Sequence, residues 1–371
     1  MEFTIDKNEL LTGLHRVQGI VERRTAMPIL ANVLLEAKKG QLVITATDLE
    51  VGIRGSYPAS VTKEGSITLP ARNLHDIVRE APEGKVSFRK KENFWVEIIS
   101  GKALFNIVGL SAEDYPTIAN YKDKKFYEIK PQDLQEMISK TIFSVSNDET
   151  RYHLNGVFFE KPKKAGEMVR MVATDGHRLS LINKALDFSK ELTFTRGVII
   201  PRKGLTELKK LLEEEEGNYQ IGFDTSNVII KKEKVVLFIR LIDGEYPDYE
   251  QVIPSNNKKK ITLNREKFLG CLKRVSLLSN ERSKAIKFTI KPHLLEISTS
   301  NPELGEAKEE IEISYTGGAL ETGFNAKYFM DALNAMNTDQ VTLELNDKLS
   351  PGILRGEGDS NYVCVVMPMR I

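Results

Sequence analysis

A chain of 371 residues is too long for one ordinary domain, and 41% hydrophobic with 28% charged residues describes a globular protein with ample core. A formal net charge of +1 excludes the strongly basic balance of a protein that grips nucleic acid tightly. The two cysteines, Cys271 and Cys364, stand far apart and outside any C-x-x-C pair, which excludes a disulfide framework and a cysteine-based zinc site.

The first predicted element is an alternating strand, Phe3-Thr-Ile-Asp6, running into a helix over 7–20 whose Leu10, Leu14, Val17 and Val21 share one face. A second strand-into-helix unit follows in Ile67-Thr-Leu-Pro-Ala-Arg-Asn-Leu74, with its helix over 71–81. A period-two strand at Val86 and Phe88 comes next, and the segment closes on Glu113-Asp-Tyr-Pro116. The same order then returns. Phe126-Tyr-Glu-Ile129 leads through Pro131 into a helix over 131–145 (Leu134, Met137, Ile138, Ile142). Val198-Ile-Ile-Pro201 leads into a helix over 201–212, Ile221 and Phe223 alternate, and Gly244-Glu-Tyr-Pro247 ends the segment. A third copy has Ile261-Thr-Leu-Asn264 into a helix over 264–278 (Phe268, Leu272, Val275). Thr322-Gly-Phe-Asn325 then enters a helix over 325–337, a strand carries Val341, Leu343 and Leu345, and Val366-Met-Pro368 closes.

Proline to proline, the copies are spaced by 131 and 121 residues. Units of that size fold as domains rather than as solenoid repeats. We therefore expect an α+β chain of three repeated domains: 1–121, 122–254 and 255–371, with polar linkers at 117–125 and 251–260. Like domains joined by like interfaces rotate by a similar step, and a rotation that closes makes a ring. The six helical stretches, taken in order, carry +1, 0, −1, +3, +3 and 0, so they hold +6 against −5 for the rest. A weakly basic lining suits a sliding contact, because many strong phosphate contacts give static, salt-sensitive binding.

Catalysis finds little support. Thr174-Asp-Gly-His-Arg178 offers an Asp–His pair, but its repeat partner Thr47-Asp-Leu-Glu50 keeps the Thr-Asp and lacks the histidine, so the shared pair reads as turn chemistry. The five histidines have no metal-ligand spacing, and the chain has neither a Walker A loop nor a Gly-x-Ser-x-Gly elbow. No cofactor is expected. A protein-interaction scaffold that never encloses nucleic acid is the remaining rival. No apolar run approaches the ~20 residues of a membrane span, and residues 1–14 have no signal-peptide core, so a cytoplasmic protein without membrane contact is expected.

Several blocks resemble those of bacterial DNA polymerase III β-type sliding clamps. They are Pro28-Ile-Leu-Ala-Asn-Val-Leu-Leu35, Ala46-Thr-Asp-Leu-Glu50, Arg151-Tyr-His-Leu-Asn-Gly156, Ala173-Thr-Asp-Gly-His-Arg-Leu179, Pro201-Arg-Lys-Gly204, Tyr246-Pro-Asp-Tyr249 and Val365-Val-Met-Pro-Met-Arg-Ile371. The resemblance implies a non-catalytic processivity factor: a head-to-tail homodimeric ring of six domains, helices inside and sheets outside, around double-stranded DNA. Its implied partners are the polymerase III alpha subunit, the clamp loader and other proteins with a clamp-binding motif. It implies a peptide-binding cleft of Arg151, Leu154, Thr174, Gly176, His177, Arg178, Leu179, Pro247, Val252, Val365, Val366, Met367, Pro368, Met369 and Arg370. Leucine, valine, proline and methionine suit an adaptable apolar pocket. Gln251 stands where well-known members resemble one another in carrying a basic residue. For DNA, the resemblance implies Arg24, Arg72, Tyr152, Arg202 and Lys203. For the subunit contact it implies Ile77, Lys102 and Ile107 against Leu277, Leu278, Glu303 and Glu306 of the other chain.

Overall fold

The computed structural model describes residues 1–21, 27–118, 121, 123–162, 167–192, 196–214 and 217–370. Helices start where a strand runs into a capping residue. Asp6 accepts from the Asn8 N–H at 2.9 Å to open α1 (Lys7–Val17), and α2 (Ala71–Glu80) follows Pro70. Pro131 is the first residue of α3 (Pro131–Ser139), and α4 (Arg202–Leu212) follows Pro201. Asn264 accepts from the Lys267 N–H at 3.0 Å and Asn325 from the Lys327 N–H at 2.8 Å, capping α5 (Arg265–Val275) and α6 (Ala326–Asn334).

The first helix of each repeat is shorter than its apolar periodicity suggests. After α3, Thr141 Oγ1 donates back to the Met137 carbonyl at 2.7 Å, and the chain tightens into a 3-10 turn, Ile142–Ser144. After α5 the same tightening gives Ser276–Leu278. The predicted faces are nonetheless the buried ones: Leu10, Leu14, Val17 and Val21; Leu134, Met137 and Ile138; Phe268, Leu272 and Val275; the exception is Ile142, half-buried in its 3-10 turn.

The strands are antiparallel throughout, and the chain divides into two compact units, residues 1–132 with 203–241 and residues 133–202 with 242–371. The first unit holds a five-stranded sheet in the order Ser60–Lys63, Glu2–Asp6, Lys85–Lys90, Trp95–Ser100, Ala103–Val108. Its second sheet has eight strands: Phe126–Ile129, Tyr219–Phe223, Asn227–Lys232, Val235–Arg240, Val51–Pro58, Gln41–Thr47, Asn32–Lys38, Gly65–Pro70. Helices α1 and α2 pack on each other in this unit.

The second unit has its own eight-stranded sheet: Val198–Pro201, Gly156–Glu160, Met168–Thr174, Arg178–Ala185, Tyr362–Val366, Gly352–Gly356, Gln340–Leu345, Lys259–Asn264. A four-stranded sheet follows the order Gly305–Glu312, Leu294–Asn301, Ala285–Lys291, Leu320–Asn325. Here α5 and α6 pack around Phe268, Phe288, Phe324 and Phe329, whose ring centroids lie 5.1–6.1 Å apart.

Each eight-stranded sheet is thus two four-strand halves from consecutive repeats, joined at one strand pair. The joints share one register. Ile239 faces Val51 in the first unit, and Val366 faces Arg178 in the second. Flanking bonds match too: Arg240 N to Glu50 O (2.8 Å) answers Met367 N to His177 O (2.9 Å). At the far end, Ser56 N to Lys234 O (3.2 Å) answers Asn183 N to Asn361 O (2.9 Å). Single bridges at Thr68–Leu110, Ile199–Ile242 and Gly323–Met369 mark the same point in all three copies.

Candidate functional site

The joint of the second unit is built on a turn. Thr174 ends its strand, and its Oγ1 donates to the Arg178 carbonyl (2.6 Å) while accepting from the Gly176 N–H (3.1 Å). Asp175 Oδ1 accepts from the N–H groups of His177 (2.9 Å) and Arg178 (3.0 Å), so one carboxylate fixes the whole loop. Gly176 takes φ +88°, a conformation that costs glycine nothing. The Thr174 N–H donates to the hydroxyl of Tyr246 at 3.1 Å; burial pushes that phenol far above its ordinary pKa and keeps it neutral. Beneath lies a core of Val172, Leu179, Leu181, Tyr249, Ile353, Val363 and Val365, with Phe158 stacked on Tyr246 at 4.9 Å.

The fifteen predicted cleft residues all fall in this unit, and they divide by exposure. Leu154, Leu179, Val365 and Val366 are buried and form the floor. Pro247, Val252, Met367, His177, Gly176, Arg151 and Arg370 are exposed, and Thr174, Pro368 and Met369 are half-buried. Arg178 is buried and fully engaged: Nε donates to Asp175 (3.0 Å), one terminal nitrogen to Asp331 Oδ2 (2.6 Å) and the other to the Phe143 carbonyl. Its guanidinium also lies 4.6 Å from the Tyr328 ring centroid, so it pins structure rather than offering a free charge. Arg151 stays half-exposed, with Nε 3.6 Å from Asp148. Gln251 donates to Asp248 at 2.7 Å.

Beside Met369 and Arg370 opens a groove of about 710 Å³, lined also by Thr322, Gly323, Lys348 and Leu349. Leu349 is 67% exposed, held in a loop whose N–H groups at 349 and 350 donate to Asp347. Sequence reading missed Leu349, Tyr246, Tyr328 and Asp331. The repeated Tyr-Pro of 115–116 and 246–247, preceded by Asp114 and Glu245, was the available signal for Tyr246. Leu349 lies in a polar loop with no periodicity.

Of the residues named for nucleic acid, Arg24 lies outside the described residues. Arg72 is half-buried near the start of α2, and Tyr152 is 56% exposed with its ring edge-on to His153. Arg202, the first residue of α4, is exposed and donates to Asn147 Oδ1, while Lys203 forms an ion pair with the buried Asp48. That carboxylate neutralises Lys203 locally. Over their observed spans, α4 and α5 each carry +3, α1 +1, α3 −2, and α2 and α6 are neutral, against +1 for the chain.

The residues named for subunit contact sit at the two terminal sheets. Lys102 and Ile107 lie on or beside the outer strand of the five-stranded sheet, where Ile99, Leu104, Val108 and Leu110 are exposed. Ile77 is half-buried on α2. In the second unit, Glu303 and Glu306 are exposed at the outer strand of the four-stranded sheet, with Leu277 at 75% exposure and Leu278 half-buried nearby. No cluster of three metal-ligating side chains exists among the described residues, and none of their helices is long and apolar enough to cross a membrane.

Three family models tile the chain: the N-terminal domain of the DNA polymerase III beta subunit over 1–119, its central domain over 128–248 and its C-terminal domain over 250–370. The chain belongs to the beta sliding clamp family. It is 36% identical to the beta sliding clamps of Pseudomonas putida and Haemophilus influenzae, each comparison covering all of both chains. The clamp of Caulobacter crescentus superposes with a TM-score of 0.95 at 34% identity. That of Bartonella birtlesii, bound to griselimycin, superposes with 0.94 at 34%; both cover the full length of each chain. These clamps share the three-domain repeat described above.

Proposed function

We propose that two copies of this chain close head to tail into a six-domain ring around duplex DNA, helices inward and sheets outward. The ring tethers the replicative polymerase and is itself non-catalytic. The observation that carries this reading is the joint made twice within the chain and left unmade at its two ends. Continuing the register of the two internal joints sets Ile107 of one chain opposite Gly305 of the other and Phe105 opposite Ala307. It also places Lys102 opposite Glu310, an ion pair across the new joint, and Val108 opposite Leu304. Domain boundaries at 121/122 and 254/255 fit this scheme, as does a cytoplasmic location. A +5 helical surface on a nearly neutral chain supports enclosure of DNA without a tight grip.

The joint around Thr174, Met367 and Met369, with the groove at Leu349, is the docking cleft for peptides of the polymerase alpha subunit, the clamp loader and other clamp-binding proteins. Arg72, Tyr152 and Arg202 are the residues for the DNA contact, with Arg24 and Lys203 named by the family resemblance. Light scattering on the purified chain should give twice the chain mass; a monomer at micromolar concentration sinks the ring. Loaded on circular DNA, the protein should be lost on linearisation, whereas an ordinary DNA binder survives it. Removing residues 367–371 should abolish polymerase-peptide binding while the dimer mass persists.

A further inference from the structure

The joint of the first unit reproduces the turn of the second almost atom for atom. Thr47 Oγ1 donates to the Val51 carbonyl (3.1 Å) and accepts from the Leu49 N–H (3.0 Å). Asp48 Oδ1 accepts from the Glu50 and Val51 N–H groups, and the Thr47 N–H donates to the Tyr115 hydroxyl at 3.2 Å. Even the neighbouring loop matches: Asp224 accepts from the N–H groups of Ser226 and Asn227 as Asp347 does from Leu349 and Ser350. A groove of about 330 Å³ lies over this joint, lined by Thr47, Leu49, Pro116, Ile118, Phe238 and Arg240, large enough for one or two side chains.

The scaffold is shared but its chemistry is not. Arg240 stands at the position of Met367, Glu50 at that of His177 and Ser226 at that of Leu349. Leu49 stands at the position of Gly176. It is a leucine at φ +78°, where its counterpart is a glycine at φ +88°, and it is 48% exposed at the groove mouth. A side chain in the left-handed region is strained, and exposure returns nothing to the fold. Lys39, Asn93, Phe94, Glu233, Lys284 and His293 also take positive φ, but Leu49 is the one of these seven that lines this groove, where its strain is a pointer to function. Arg240 is exposed, and Glu50 beside it is the groove's one exposed carboxylate among the described residues.

We infer that this groove is a second docking site, distinct from the cleft at Met367, for an extended peptide that carries an apolar side chain beside a carboxylate. The apolar side chain lies on Leu49, Pro116 and Ile118, and the carboxylate meets Arg240, with Glu50 disfavouring a second acidic residue. This inference rests on the reading of the second joint as a peptide cleft, because it transfers that architecture to the first.

The test titrates the fluorescein-labelled peptide Gly-Leu-Asp-Leu-Gly, and its lysine analogue Gly-Leu-Lys-Leu-Gly, onto the full chain bearing M367A and M369A, which disable the cleft. The acidic peptide should bind and the lysine peptide should not. Arg240→Glu should weaken the acidic peptide by about tenfold or more and reverse the preference. Leu49→Gly should weaken binding while raising the urea midpoint, because it removes both the contact and the strain. Absence of binding to 1 mM, or binding indifferent to Arg240→Glu, overturns the inference. The cleft reading is judged separately, by loss of polymerase-peptide binding on the M367A/M369A change alone.

Discussion

The strands Val235–Arg240 and Ala103–Val108 hold equivalent places in consecutive repeats, yet the first is buried at five of its six positions and the second alternates half-buried with exposed. Their opposite numbers differ in the same way: Val51–Pro58 is largely buried, and Gly305–Glu312 is exposed at alternate residues. The repeat itself is the same; what changes is whether another repeat has paired with the edge. The open edges also carry a different composition. Gly305–Glu312 holds five carboxylates or lysines in eight positions, Glu306, Lys308, Glu309, Glu310 and Glu312, which blunts indiscriminate strand addition. An edge of this kind waits for one partner of matched register and charge.

Breaking a covered joint should have the largest effect. Arg178→Ala would leave Asp175, Asp331 and the Phe143 carbonyl without their buried donor. A loss of about 3 kcal/mol is expected in urea unfolding. An unchanged midpoint would mean that the covered joint does not depend on this cation. Next, Leu104→Glu on the open edge should raise the dimer dissociation constant about 100-fold, measured by concentration-dependent light scattering, with monomer stability unaltered. An intact dimer would place the contact elsewhere.

A smaller effect concerns pH at the first covered joint. Burial raises the pKa of Glu214, but hydrogen bonds from Arg16 and Lys232 outweigh it and hold the carboxyl below 4.5. Its contribution is therefore complete above about pH 4.5 and is lost as pH falls through the lower folded value. The stability gap between the wild type and Glu214→Gln should accordingly shrink below pH 4.5; a constant gap from pH 7 to 3 would exclude the assignment. The smallest effect sharpens the contrast from the other side. Arg196 and Glu245 form an ion pair more than 80% exposed, and Arg196→Ala should leave the unfolding midpoint where it was.

Much of this was legible before any coordinates. The starts of the helices followed from Asp6, Pro131 and Asn264, because capping is local. The faces of α1, α3 and α5 followed from 3.6-residue spacing. The ends were less legible, since Thr141 terminates α3 through a back-bond that its residue type permits but does not require. What the repeats concealed was the allocation of strands. The second repeat gives Phe126–Ile129 and three partners to one sheet, and Val198–Pro201 and three partners to another. Strand pairing across 180–188 residues, as at the two joints, leaves no local mark. For the same reason the resemblance could name Arg178 for the cleft but not its partners, and the structure shows both arms occupied by groups 35 and 153 residues away. Apart from Val252, the exposed residues proposed for the cleft lie in the family blocks, and Leu349 does not, because its loop has only turn chemistry.

The division of the second repeat has a mechanical consequence. The chain passes between the two compact units three times, after Gln132, Arg202 and Leu241. One proteolytic nick in any of these crossings leaves two covalent tethers intact. A pulling force applied between the units is likewise carried by three peptide threads in parallel.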